Sequence, residues 1–153
     1  MVNPDELKII AVNFQQGIEK LTLLRVCLQA LQKQHGYKLP IEGIDKNAGE
    51  LIFWFAGSKY YVKIRITDKD VDEQQPEYKV PIGWLDWGRF NGDGLRETPE
   101  NTNYFDDRGI LCELEKEEFY DDFKDCGDER IIRSLTQKLQ KLVSRALTIN
   151  NLT

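Results

Sequence analysis

The side chains best suited to recognition or catalysis lie between Pro81 and Glu113. Trp84 and Trp87 stand three residues apart with Asp86 between them, and aromatic, arginine and aspartate residues recur through the rest of this segment. Exposed aromatic rings beside arginine are typical of interaction hot spots, and carboxylates steer a basic partner toward a surface. The predicted partner-binding residues are Trp84, Asp86, Trp87, Arg89, Phe90, Tyr104, Asp106, Asp107 and Arg108.

The aspartates of this segment permit a different chemistry. Carboxylates that converge on one site can bind a divalent metal ion, which activates water for hydrolysis. The alternative function is therefore a small metal-dependent hydrolase or nuclease that uses Asp86, Asp93, Asp106 and Asp107. However, no Asp/Glu-x-Lys spacing on a predicted strand, phosphate-binding loop or zinc-protease motif accompanies these residues. A non-catalytic interaction module is the primary prediction, and no catalytic residue, metal site or cofactor is assigned.

The sulfur and imidazole groups do not form a recognisable site. Cys27, Cys112 and Cys126 are odd in number and none of them is at CxxC spacing, which argues against a disulfide framework. His35 is the only histidine, so the chain holds just four Cys and His residues in total, scattered along its length. A structural zinc site usually needs four such ligands close together. We expect reduced, buried thiols.

Charge is distributed unevenly along the chain. Residues 68–130 hold twenty Asp and Glu against eight Lys and Arg, whereas residues 1–67 hold nine Lys and Arg against six acids. An acidic middle attracts a basic partner and repels nucleic acid. We therefore expect a protein partner of basic character and no nucleic acid. The last helix has a basic outer face formed by Arg130, Arg133, Lys138, Lys141 and Arg145, which is common for a solvated helix.

The first residues of the chain and its apolar runs indicate the cellular compartment of the protein. The segment Met1–Glu6 has no basic stretch followed by an apolar run, so a secretory signal is not expected. The longest apolar run, Leu51–Ala56, is far shorter than the roughly 18 residues that a membrane span needs. We expect a cytoplasmic protein that does not enter a membrane.

A long helix is predicted first, from Pro4 to Gln34, with Gly36 as its stop. Its apolar residues repeat at alternating steps of three and four, and further apolar residues widen this stripe. The wide stripe favours packing on the domain's own sheet, and a homodimer through this helix is the alternative. The stripe consists of Leu7, Ile10, Phe14, Gly17, Leu21, Leu24, Leu28 and Leu31.

The middle of the chain has the pattern of antiparallel strands. A hairpin loop at Ala56–Lys59 separates two of them, and Val62, Ile64 and Ile66 alternate with polar or amphipathic residues. The predicted strands are Leu51–Phe55, Tyr60–Thr67, Tyr78–Leu85 and Gly109–Leu114, with a shorter one within Tyr37–Ile44. A short acidic helix is predicted at Lys116–Lys124, and an amphipathic final helix at Glu129–Leu147.

These elements predict a single α+β domain over residues 1–153, an antiparallel sheet of four or five strands with the two long terminal helices packed on it. Because side chains alternate along a strand, Trp84 and Asp86 should share one face while Leu85 and Trp87 share the other. One tryptophan can thus belong to the core while the other stays exposed.

Overall fold

A computed structural model describes residues 4–36, 38–70, 79–114, 116–125 and 128–151, which form two helices and one antiparallel sheet. The helices are α1 (Pro4–His35) and α2 (Glu129–Asn151). The strands are β1 (Glu50–Phe55), β2 (Ser58–Asp70), β3 (Lys79–Arg89), β4 (Asn101–Asp106), β5 (Gly109–Leu114) and β6 (Glu117–Asp121). Each strand pairs with the next along the chain, so the sheet is a simple meander. Neither helix, within the part described, combines the length and apolar character needed to cross a membrane.

The predicted α+β class, with an antiparallel sheet and two long helices, is confirmed, but the predicted count of four or five strands is wrong because the described residues already form six. β4 is absent from the predicted strands, since its inward position 103 is a buried asparagine and breaks the apolar alternation. β6 replaces the short acidic helix predicted at Lys116–Lys124, because pairing with β5 overrides local preference. The strand predicted within Tyr37–Ile44 is reduced to a bridge between Ile41 and Phe53.

The sequence predictions also use residues that lie outside the described ones, namely residues 1–3 of the chain start, Tyr37, Tyr78 and Cys126. The other two cysteines, Cys27 and Cys112, are buried, as expected.

One face of the sheet carries the core beneath the helices. Val62 and Ile64 of β2 pair with Trp87 and Leu85 of β3, and all four side chains are buried in one cluster with the apolar residues of both helices. α1 approaches this face closely at Gly17, where a methyl group would lie 2.7 Å from Cδ1 of Ile64. The predicted division of side chains between the two faces is therefore confirmed for β3.

The first helix is buried over only part of its length. From Gly17 to Leu31 its apolar stripe is buried against the rest of the domain, as the core-packing interpretation predicts. The earlier turns differ, because Leu7 is 58% exposed and Val12 is 56% exposed. The second half of α1 therefore packs against the core, whereas the first half leaves apolar side chains exposed to solvent.

The opposite face of the sheet has no helix against it in the described structure, and one half of it is covered by a loop. Residues 90–100 fold back over β1 and β2, where the Tyr61 hydroxyl donates a hydrogen bond of 2.6 Å to the Glu97 carbonyl. The Phe90 ring stands edge-on to Tyr61, and Arg96 forms an ion pair with the buried Glu50. The half formed by β3 to β6 is not covered in this way, and we call it the open half of the sheet.

Candidate functional site

A row of three aromatic rings crosses the open half. Trp84 of β3 lies directly opposite Tyr104 of β4, with ring centroids 5.8 Å apart and planes at 73°. Tyr104 in turn stands edge-on to Tyr120 of β6, with centroids 6.4 Å apart. Such edge-to-face pairs contribute about 0.5–1.5 kcal/mol beyond their burial, so the row is a pre-ordered surface. Each ring remains partly exposed.

Arginine and aspartate fix the Trp84 end of this row. The Arg65 guanidinium lies 5.4 Å from the centre of the Trp84 ring and forms two hydrogen bonds, of 2.7 and 3.1 Å, with the Asp86 carboxylate. The indole Nε1 donates a 2.8 Å hydrogen bond to the Thr67 hydroxyl. The Trp84 ring is therefore held in one orientation before any partner arrives.

A second arginine–aspartate pair fixes the other end. The Arg108 guanidinium lies 4.0 Å from the centre of the Tyr120 ring and 2.7 Å from an oxygen of Asp106. Burial raises the pKa of Asp106, but the hydrogen bonds from Arg108 outweigh this and leave the pKa below its ordinary value. The Asp106 carboxylate thus stays ionised and occupied by Arg108.

An open depression of about 810 Å³ lies over the aromatic row, and we call it the aromatic hollow. It is lined by Trp84, Tyr104 and Tyr120 together with Ile82, Thr102 and Leu111. Two carboxylates also line it, Glu113 and Glu118, and neither forms an ion pair with another described residue. Arg108, the single cation among the described lining residues, is already paired with Asp106. The hollow therefore combines aromatic surface with negative charge.

The predicted partner-binding residues are brought together only in part. Trp84, Asp86, Tyr104, Asp106 and Arg108 lie on the open half of the sheet. Sequence reasoning missed Tyr120, which completes the row, because β6 was expected to be helical. Tyr120 lies opposite Leu111 in the β5–β6 pair, and this pairing can be seen only in the folded structure.

The remaining members of the predicted set lie elsewhere. Trp87 is 1% exposed and belongs to the core face, so its inclusion in an exposed surface is wrong. Arg89, the last residue of β3, pairs with Glu97 of the loop that covers the other half of the sheet, and Phe90 of that loop packs on Tyr61. Asp107 is exposed in the turn between β4 and β5.

The carboxylates of the metal-dependent alternative do not converge. Asp86 and Asp106 are each engaged by an arginine, and Asp93 is exposed in the covering loop. Across the described residues, no group of three Asp, Glu, His or Cys residues is arranged to hold a metal ion. The hydrolase hypothesis thus has no geometric support in this part of the chain.

A polar cavity that sequence reasoning missed lies between α2 and the strands. The sequence predicts Lys138 on the basic outer face of the last helix, but it is only 7% exposed. Its ammonium lies 5.7 Å from the centre of the Trp87 ring. The signal was present in the sequence, because Lys138 follows Ile131 and Leu135 at core-facing helical spacing.

Comparisons of the chain with protein-family models, with curated proteins and with solved structures found no significant match.

Proposed function

We propose that the chain is a non-catalytic interaction module that binds a partner protein through the aromatic hollow, and that the partner presents a basic segment to it. The observation that carries the proposal is the pairing of three ordered aromatic rings with two carboxylates, Glu113 and Glu118, that form no described ion pair. Tryptophan and tyrosine are enriched at hot spots because they supply large contact areas at low entropic cost.

The charge of the hollow decides which partner fits. Glu113 and Glu118 lie directly opposite each other on β5 and β6, where like charges repel and reduce stability. A lysine or arginine of the partner placed between them relieves that repulsion and forms charge-assisted hydrogen bonds with both carboxylates. The acidic middle of the chain also attracts such a segment from a distance, which raises the association rate.

The location expected for this activity is the cytoplasm. The chain has three cysteines, an odd number, and Cys112 is a buried free thiol. Free thiols persist in reducing compartments, whereas secreted domains usually convert cysteines to disulfides. This favours a cytoplasmic module.

Synthetic peptides of equal length and graded net charge, each carrying one aromatic residue, test the proposal. Binding to the full chain is measured by calorimetry at low and high salt. We expect the basic peptides to bind, the acidic ones not to bind, and the affinity to fall as salt rises. Trp84→Ala should remove the binding.

The matched control is Trp54→Ala. Trp54 is 38% exposed on the same face of the sheet but at the β1 edge, outside the aromatic hollow. Trp54→Ala should therefore leave the affinity for the basic peptides unchanged. The proposal fails if no basic peptide binds, or if Trp54→Ala weakens binding as much as Trp84→Ala does.

A homodimer through the first helix stays a second prediction. The observation in its favour is the exposure of Leu7, Ile9 and Val12 on the early turns of α1 and of Val26 farther along it. Exposed apolar side chains grouped on one helix are a common feature of association surfaces. This surface belongs to a different element from the aromatic hollow, so the two proposals are independent.

A further inference from the structure

The sheet opens between β4 and β5 on the side of α2. Although each strand has six residues, their ladder holds only two residue pairs, Phe105 with Ile110 and Asp106 with Gly109. Beyond these pairs the side-chain amide of Asn103 bridges the strands by donating a 2.9 Å hydrogen bond to the Leu111 carbonyl. The opening borders a cavity of about 200 Å³, which we call the α2 cavity. Its lining comprises Asn101, Thr102, Asn103, Glu113, Lys116, Ser134, Gln137, Lys138 and Lys141.

Buried polar atoms that have no hydrogen-bond partner among the described residues gather at this cavity. They are Nδ2 of Asn101, Oδ1 of Asn103 and Oγ of Ser134, and the neighbouring core residue Trp87 leaves its Nε1 without a partner as well. Ser134 is 1% exposed, and its hydroxyl interacts with the Cys112 thiol, which forms only weak hydrogen bonds. Each such group reduces the stability of the fold when it is left unsatisfied. Their grouping at one place indicates a site prepared for a polar ligand.

Lys138 contributes a buried cation to the same cavity. No carboxylate forms an ion pair with it among the described residues, and Trp87 covers one side of its ammonium. A buried, unpaired charge is unfavourable, so lysines at such positions usually pair with an anion. Lys116 and Lys141 add two further cations to the lining against the single carboxylate of Glu113. The cavity therefore has the charge and the donors to receive an anion.

We propose that the α2 cavity binds a small oxyanion, carried as a phosphate or as a carboxylate, with Lys138 as its counter-ion. The Ser134 hydroxyl and the Asn101 amide donate to its oxygens, and the free carbonyl oxygen of Asn103 accepts a hydrogen bond from a hydroxyl of the ligand. The volume is below the roughly 300–1,000 Å³ of sites for drug-sized ligands, which limits the ligand to a few heavy atoms. This site is distinct from the aromatic hollow, although Thr102 and Glu113 border both.

Thermal unfolding of the full chain in sodium phosphate, sodium acetate and sodium chloride at matched ionic strength tests the proposal. A ligand that binds only the folded state raises the melting temperature. We expect phosphate, acetate or both to raise it more than chloride does. Phosphate alone identifies a phosphate site, and acetate alone identifies a carboxylate site. Equal melting temperatures in all three salts overturn the proposal.

Variants and a spectroscopic signal locate the effect. Lys138→Met, which removes the charge but fills the same space, and Ser134→Ala should each lose the oxyanion-specific rise, with binding weaker by roughly tenfold or more for the lysine. Lys46→Met, at an exposed turn, should keep it. In nuclear magnetic resonance spectra the oxyanion should shift the indole N–H signal of Trp87 but not that of Trp54. If Lys138→Met keeps the oxyanion-specific rise in melting temperature, Lys138 is not the counter-ion and the proposed site is contradicted.

Discussion

Glu113 and Glu118 face each other across β5 and β6, on the sheet face that neither of the described helices covers. Two like charges at directly opposed positions of an antiparallel pair reduce stability, and neither glutamate has an ion pair among the described residues. Both line the aromatic hollow beside Tyr120. The arrangement is unfavourable for the isolated chain and favourable for binding a cation, which links stability to the proposed function.

Glu118→Gln should separate these two effects. Removing one of the opposed charges should raise the free energy of unfolding by about 0.2–1 kcal/mol and weaken binding of a basic peptide. Urea unfolding and calorimetry measure the two quantities. Glu117→Gln is the control, because Glu117 lies on the opposite face of the same strand, near Arg130. A variant that is both less stable and equally tight in binding would contradict the role given to this pair.

Gly83 allows close packing of two strands beneath the helices. A methyl group at this position would lie 2.2 Å from Cζ of the buried Phe105 ring on β4. Because the ring is enclosed and has nowhere to move, Gly83→Ala should lower the free energy of unfolding by about 1–3 kcal/mol. Gly43→Ala, where nothing lies within 4 Å of the added methyl group, is the control and should change stability little. Equal effects of the two substitutions would show that the Phe105 contact is not tight.

Without an oxyanion, Lys138→Met should stabilise the chain by about 1–3 kcal/mol near neutral pH, since it removes an unsatisfied buried group. Burial lowers the pKa of Lys138 from its ordinary value of 10.5, and Cys112 and Glu113 offset only part of this, while Lys141 lowers it further. The folded chain therefore loses this proton at a lower pH than the unfolded chain does. Wild-type stability rises with pH in the window between those two pKa values.

The advantage of Lys138→Met should consequently shrink as the pH approaches 10.5. Urea unfolding at several alkaline pH values measures the difference. Burial also raises the pKa of the Cys112 thiol, so both proteins should carry Cys112→Ala, which removes the thiol's own pH dependence. The charged neighbours Glu113, Lys116 and Lys141 are the same in both proteins. A difference that stays constant with pH would argue against a depressed lysine pKa.

Association through α1 should depend on its exposed early turns. If the homodimer forms, the mass measured by sedimentation should rise with protein concentration, and Val12→Asp should keep the chain monomeric without unfolding it, because Val12 is exposed. Glu19→Asp, at an exposed position farther along the helix, should leave the mass unchanged. A monomeric wild-type chain at every concentration would remove the dimer hypothesis.

The helices and central strands could be predicted because their signals are local. Gly36 ends α1, where it adopts a positive φ, and the alternation in β2 correctly separates buried Val62 and Ile64 from the other face. β4 and β6 could not be predicted in the same way. Their strand state depends on hydrogen bonds to neighbours, and the buried Asn103 of β4 looks like a loop residue until its bond to Leu111 is known.

The sequence predicts the kinds of residue in the aromatic hollow, but it does not predict all of the individual residues. Strand alternation separates Trp84 from Trp87, yet it does not say which face the helices cover, so Trp87 was included although it is buried. Tyr120 joins the row only because β6 pairs with β5. The α2 cavity depends on atoms from three distant segments, and spacing within α2 alone indicated only that Lys138 faces inward.

The indole signals of the three tryptophans offer the decisive measurement for the aromatic hollow. Trp84 lies in it, Trp54 lies at the far edge of the same face and Trp87 lies in the core. On titration with a basic, aromatic-containing peptide, the N–H signal of Trp84 should shift in proportion to binding, while that of Trp54 stays in place. Binding that moves the Trp54 signal and leaves that of Trp84 unchanged would contradict the assignment of the partner site to this hollow.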